Sequence, residues 1–362
     1  MKRSFFAILL TGLVALNACK KDDNVVIPAP VLSPATGIYV LCEGGFGGNN
    51  ATLAYRNVAS GVVAADFYRQ QNPTQTGGLG DLANDAIIYG SKLYIVMNGS
   101  GNVTVLNAST GVLLGKVSFI NGSGNKSPRF ALGARGKVYV SSFDNTISII
   151  DTTSLSITGS INVGANPEGI ATYGNYLYVA NSGGLNPVFD STVSVVDLNS
   201  NLEIKKITVG LNPQKIEVNS VGDVYVSGYG NAFGTPAVPP FISVISAATN
   251  TLKTNLGAAY AYDHIRIHND TAYLYNNYGG GDCKVINTLN NSVVRNSFIT
   301  DGTVIQTSYG INIDEQNGDV YITDAINFSS PGEVTCFNRN GVKKFSFSVS
   351  PGIIPNKVLF AR

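Results

Sequence analysis

The sequence contains no tryptophan and only two histidines, and charged residues make up 13% of its 362 positions. The 24 basic and 23 acidic residues nearly cancel. That balance argues against a basic face for nucleic acid or an anionic membrane surface. The two histidines, His264 and His268, have the i, i+4 spacing of a helical zinc site, but Asp263-His264-Ile265-Arg266-Ile267-His268 alternates like a strand. Four residues along a strand span about 13 Å, too far for one zinc ion with bonds of about 2 Å. No G-x-S-x-G elbow, Walker loop or H-E-x-x-H motif occurs. The glycine runs 44–48 and 279–281 lack the strand-to-helix setting of a phosphate loop and read as turns. Helix-forming stretches of Glu, Lys and Leu are nearly absent after the first twenty residues. Short β-branched and aromatic runs punctuated by Gly, Asn and Asp fill the chain, a composition that reads as all-β.

The N-terminus carries a specific signal. Lys2 and Arg3 precede an apolar stretch from Phe5 to Leu16 that is too short to span a bilayer. The sequence Leu16-Asn17-Ala18-Cys19 follows and resembles the bacterial lipobox. The resemblance implies that residues 1–18 are a signal peptide and that Cys19 becomes a lipidated N-terminus, with several acyl chains making the anchor stable. Lys20-Lys21-Asp22-Asp23 is similar to the surface-export tag of Bacteroidetes lipoproteins. It implies an outer-membrane, cell-surface location, with contact to the membrane through the lipid alone. Residues 19–36, with Pro28, Pro30 and Pro34, read as the lipidated cysteine and a tether. The remaining cysteines, Cys42, Cys283 and Cys336, cannot all pair and match no metal motif. Their apolar, strand-like surroundings predict buried free thiols.

The remainder, 37–362, is repetitive. A tyrosine followed by an apolar residue recurs at Tyr39, Tyr94, Tyr139, Tyr178, Tyr225, Tyr273 and Tyr321, with spacings of 55, 45, 39, 47, 48 and 48 residues. That is the length of a four-stranded propeller blade. After each Tyr strand comes a second strand such as Val103-Thr104-Val105 or Val193-Ser194-Val195, then a turn, a third strand, and a fourth often opened by proline, as in Pro128-Arg129-Phe130 and Pro213-Gln214-Lys215. The first Tyr strand lacks a preceding inner strand, and Pro355-Asn356-Lys357-Val358-Leu359-Phe360 supplies one without a following Tyr strand. The expectation is a seven-bladed β-propeller with four-stranded blades, its ring closed by pairing of the N- and C-terminal strands, which leaves no open sheet edge.

The segment 145–216, with its S-V-V-D turn, I-x-V-G strand end and N-P loop openings, resembles the YVTN-type propeller repeat. The chain from residue 37 onward is similar to a group of Bacteroidetes propeller lipoproteins. Gly37-Ile38-Tyr39-Val40-Leu41-Cys42-Glu43-Gly44-Gly45-Phe46-Gly47 resembles their Y-V-L-N-E-G-x-F-G opening, with Cys42 in place of Asn, and Leu79-Gly80-Asp81 and Ser127-Pro128-Arg129-Phe130 match as well. Some relatives accompany TonB-dependent outer-membrane transporters, and the best understood capture vitamin B12. The resemblance therefore implies a corrinoid ligand and a transporter partner, with no enzymatic activity and no cofactor. The missing tryptophan also disfavours quinone-cofactor propellers, whose blades dock through that residue.

Loop length divides the two faces. Turns such as Ala134-Arg135-Gly136-Lys137 and Val221-Gly222-Asp223 are tight, whereas 43–50, 67–81, 119–128, 181–191, 228–240, 258–262, 276–282 and 324–333 are long and share the other face. Long loops cost entropy, and binding is the usual reason for them. They offer Phe46, Tyr68, Phe143, Phe189, Tyr229, Phe233, Tyr260, Tyr262, Tyr278 and Phe328 for stacking, with Asn49 and Asn181 among the hydrogen-bonding residues. Such a surface suits a large, weakly charged, flat ligand with amide or hydroxyl edges: a corrinoid or a glycan. Arg129, Glu168, Gln214, His264 and Tyr309 open inner strands beside the channel, where they either bracket a ligand or hold channel water. A scaffold that binds a surface protein or glycan is the alternative to capture. A lactonase-like hydrolase is a further one, with carboxylates drawn from Glu43, Asp81, Asp144, Glu168, Asp190, Asp263, Asp282 and Asp324.

Overall fold

A computed structural model describes residues 32–122, 124–277, 280–281 and 283–362. Seven four-stranded antiparallel sheets form the blades of a propeller. In chain order, blades 1 to 6 begin with the inner strands Ala83–Tyr89, Pro128–Ala134, Pro167–Tyr173, Pro213–Val218, His264–His268 and Ser308–Ile313. Blade 7 is composite: its inner strand Pro355–Ala361 pairs with Gly37–Cys42, followed by Thr52–Asn57 and the two-residue Val63–Ala64. The predicted closure is present, with Ile38 opposite Phe360 and Val40 opposite Val358.

The core lies between blades. Each pair of neighbours encloses one apolar cluster, because the Tyr strands are buried on both faces. In blade 3, Tyr178 and Ala180 pack toward blade 4, while Leu177 and Val179 pack toward blade 2. This explains why the repeat reads as a near-continuous apolar run at the Tyr strand and as an alternating one at the outer strand, where Ser156–Asn162 buries only Ile161. All seven repeat tyrosines are buried. Tyr39 donates from its hydroxyl to the Ala108 carbonyl at 2.9 Å. Tyr178 donates to Asn250 Oδ1, and Tyr225 to the Thr288 carbonyl and Asn291 Oδ1, both at 2.6 Å. In each case the partner is an outer turn of the next blade. In these three blades the repeat tyrosine is thus an inter-blade stitch.

Cys42, Cys283 and Cys336 form no disulfide among the described residues and are buried, as their sequence context predicts. Burial pushes the Cys42 and Cys336 thiols up to about 12.

One departure from the expected loops occurs between blades 7 and 1. Asp66 caps a short helix, Phe67–Gln71, by accepting the Arg69 amide. Asn72 then ties it to blade 1, donating to the Gly111 carbonyl and accepting the Leu113 amide. The helix fills the space left by the two-residue outer strand of blade 7.

Candidate functional site

The inner strands do not run straight into the channel mouth. In blades 1, 2, 3, 4, 6 and 7 the register of the inner strand slips by one residue at its first positions on the long-loop face. The extra residues lie at Asn84, Arg129, Glu168, Gln214, Tyr309 and Asn356, and His264 opens the seventh inner strand. A bulge re-aims side chains that a regular ladder would spread over the sheet faces. Proline begins the inner strand at Pro128, Pro167, Pro213 and Pro355, a position where the missing N–H is tolerated.

Four of these ring residues are bonded in sequence, and the others bond to neighbouring residues. Arg129 forms a two-point ion pair with Glu168, at 2.8 and 3.1 Å. The Arg129 guanidinium also lies 4.7 Å from the Phe143 ring centroid. Asn84 donates to the Arg129 carbonyl, and Asn356 donates to the carbonyls of Ala83 and Asn84. Tyr309 donates to Glu43 Oε2 at 3.0 Å and meets Phe328 edge-on at 5.8 Å. His264 Nδ1 is 2.7 Å from Asp263 Oδ1, and Tyr229 lies 5.6 Å from the imidazole. Gln214 donates to Asn212 Oδ1 at 2.6 Å.

Burial raises the Glu43 carboxyl above the usual range, partly offset by the Tyr309 hydroxyl and the Arg129 charge. Burial lowers His264 below its ordinary value despite Asp263, so the imidazole is neutral at neutral pH. The Arg129–Glu168 pair is nearly dry at its acid end, where Glu168 is 4% exposed. Removing one partner of such a pair leaves an uncompensated charge, at a cost of about 3–5 kcal/mol.

The structure brings Arg129, Phe143, Glu168, Gln214, Tyr229 and Phe328 to the mouth. Phe46 and Phe233 are loop tips, 90% and 100% exposed, with Asn49 beside the first. Phe189 is half-buried in the 182–191 loop. Tyr260 and Tyr262 pack on the cluster between blades 4 and 5, and the Tyr260 hydroxyl donates to the Asn291 carbonyl. Two expectations are corrected. Tyr68 is wholly buried in the core, because the helix turns it inward against blades 7 and 1. Asn181 is wholly buried at a strand end, where its amide donates to Thr192 and Ser194. Neither side chain is exposed on the long-loop face. Tyr278 and Cys19 lie outside the described residues.

Sequence reasoning missed Asn84, Lys215, Asn356 and Lys357 near the axis. Two of them follow directly on a proline and its neighbour, Pro213-Gln214-Lys215 and Pro355-Asn356-Lys357, so the pattern that located Arg129 and Glu168 could have found them. Among the hydrolase carboxylates, Asp81, Asp190 and Asp324 accept backbone amides that brace their own and neighbouring loops. No group of three or more metal-ligating side chains occurs among the described residues.

The fold and site define a seven-bladed propeller with a polar, aromatic-edged channel mouth on its long-loop face. The chain belongs to the DUF5074 family, described as a domain of unknown function, whose model matches residues 36–353. No curated protein matches it. Among solved structures it is similar to a quinonprotein alcohol dehydrogenase-like protein from Bacteroides thetaiotaomicron, with 14% identity over 90% of this chain and 78% of that one, at a TM-score of 0.65. It is similar also to Kuenenia stuttgartiensis hydrazine synthase, with 18% identity over 69% and 74% of the two chains and a TM-score of 0.56. The WD40 domain of Neurospora crassa Pan2 matches at 14% identity over 91% of each chain, with a TM-score of 0.56. At these identities the likeness is one of fold.

Proposed function

We propose that this protein is a lipid-anchored capture protein of the outer-membrane surface, which binds a corrinoid such as vitamin B12 at the channel mouth and passes it to a TonB-dependent transporter. The observation that carries the reading is the ring of bulged residues. Asn84, Arg129, Glu168, Gln214, Tyr309 and Asn356 stand at one mouth, edged by Phe143, Tyr229 and Phe328. Amide, carboxylate and guanidinium groups on rigid strands match the amide edge of a corrinoid, and the rings match its flat body. Because the site is held by strands, little is lost to ordering on binding. The use of Asp81, Asp190 and Asp324 as loop braces favours capture over hydrolysis.

A second reading, a scaffold for a surface protein or glycan, draws on the apolar tips of the same face. Phe46, Leu185, Val188 and Phe233 are 90, 70, 79 and 100% exposed. Titration calorimetry separates the two. Mature protein is expected to bind cobalamin or cobinamide with a Kd of about 1 nM or below, which corresponds to about −12 kcal/mol. Absence of heat at micromolar protein would remove the corrinoid reading and leave the scaffold. The anchor is tested separately: Cys19→Ser should move the protein out of the outer-membrane fraction, and unchanged detergent partitioning would contradict lipidation.

A further inference from the structure

We propose that the axial channel below the mouth is an anion site, in which Lys215 holds a carboxylate or phosphate group between the Arg129–Glu168 and Lys357–Asp85 ion pairs. The inference is independent of whether a corrinoid binds above.

Lys215 belongs to blade 4, yet its ammonium lies 3.9 Å from the ring centroid of Phe130 in blade 2. It therefore reaches past blade 3 into the channel. Gly169 lets the inner strands of blades 3 and 4 approach closely, since a Cβ there would collide with the Gln214 carbonyl and crowd the Lys215 backbone. The titratable groups around the ammonium come from blades 1, 2, 3, 5 and 7, namely Asp85, Arg129, Glu168, His264, Glu43 and Lys357.

The neighbouring carboxylates are already engaged. Glu168 accepts two bonds from Arg129. Asp85 accepts Lys357 on one oxygen at 2.8 Å and the Ala131 amide on the other at 3.1 Å. Glu43 accepts Tyr309. Lys215 itself makes no hydrogen bond or ion pair among the described residues, and the Phe130 face offers attraction without a lone pair. An ammonium has three donors to satisfy. This residue is half-buried rather than sealed in a core. Arg129 and Lys357 flank it, each already paired with a carboxylate, so Lys215 is the cation left to meet an anion. Burial, with Lys357 and Arg129 behind it, pushes the Lys215 amine down to about 8 against the pull of Asp85 and Glu168. A bound anion would reverse that.

The probes are sulfate, a tetrahedral anion of constant charge standing for a phosphate group, and acetate for a carboxylate. At constant ionic strength, calorimetry on the full mature chain is expected to show saturable binding with a Kd on the order of 1 mM. Lys215→Met should weaken it about tenfold or more, the effect of removing a charged hydrogen-bond donor. Lys215→Arg should retain it, since the charge remains. Raising the pH from about 7 to about 9 should weaken sulfate binding in the natural protein, because the amine loses its proton in that window while His264 is neutral throughout. The same rise should leave Lys215→Arg unaffected. The tighter of the two probes identifies the anion class. No saturable binding of either anion, or undiminished binding by Lys215→Met, would overturn the proposal. Should Lys215→Met fail to fold, binding that persists unweakened at about pH 9 overturns it equally.

Discussion

The two faces of this propeller are ends of the same seven sheets, but they use their polar groups differently. On the tight-turn face, side chains reach from one blade to the next. Tyr39, Tyr178 and Tyr225 donate to the next blade's outer turn, Tyr89 accepts the Gly136 amide, and Arg135 of blade 2 bridges Asn175 and Asn199 of blade 3. On the long-loop face, carboxylates such as Asp190 and Asp324 brace the loops around them, while the bulged ring points at the channel and apolar tips project outward. One face holds the ring together. The other carries long loops around a polar mouth, and this asymmetry supports the proposal that a ligand binds there.

The largest expected effect strikes the buried repeat tyrosines together. Burial raises the Tyr39, Tyr178 and Tyr273 phenols to about 12, and those of Tyr225 and Tyr321 further. Unfolded, each titrates near the ordinary value of about 10. Their contribution is fully present below that pH and is lost as pH rises toward the folded values, because the unfolded chain then releases protons the folded one keeps. Each such tyrosine removes about 1.4 kcal/mol per pH unit in that window. Several acting together rival a total stability of about 5–15 kcal/mol. Circular dichroism should show cooperative unfolding between about pH 10 and pH 12. A chain still folded at the upper end would contradict this account of the tight-turn face.

A smaller effect separates tyrosines at the same position of the repeat. The Tyr225 hydroxyl makes two hydrogen bonds, whereas the buried Tyr94 hydroxyl makes none. Tyr225→Phe leaves Asn291 Oδ1 without that donor and should cost about 1–3 kcal/mol. Tyr94→Phe removes an unpaired polar atom and should be neutral or slightly stabilising. Chemical denaturation measures both. Equal losses would mean that the ring packing, not the hydroxyl stitch, is what the repeat tyrosine provides.

Most of the architecture was legible because it rests on periodic burial: a Tyr strand buried on both faces needs an apolar run, and that run recurs at blade length. Closure was legible from the unpaired pattern at 355–360. The site was less so. Arg129 and Glu168 could be placed beside the channel from the proline before them, but the bulges that aim them come from register slips that no single residue type announces. Tyr68 was misplaced because Asp66 acts as a helix cap only once the outer strand of blade 7 stops at Ala64. Asn181 was misplaced because a strand end and a loop start look alike when Asn-Ser-Gly-Gly follows. Lys215 was overlooked because its significance depends on Phe130, two blades away.

The smallest expected effect on stability belongs to the long-loop face, and it sharpens the comparison most. Phe233 is wholly exposed, so Phe233→Ala removes no buried area and should leave the melting temperature unchanged. Tyr229 is half-buried beside His264 at the mouth, and Tyr229→Ala should lose a modest amount of packing. Binding should separate the two more clearly. If the ligand sits on the bulged ring, Tyr229→Ala should weaken cobalamin binding by about 1–3 kcal/mol, as a central aromatic contact does. Phe233→Ala should then weaken it by less than about 0.5 kcal/mol, as an outlying contact does. Val221, 60% exposed in a tight turn, supplies the control: Val221→Ser should alter neither property. A reversed order, with Phe233 dominant and Tyr229 silent, would move the site from the channel mouth to the loop tips. The ligand would then be held by protruding apolar residues on the same face rather than by the bulged ring.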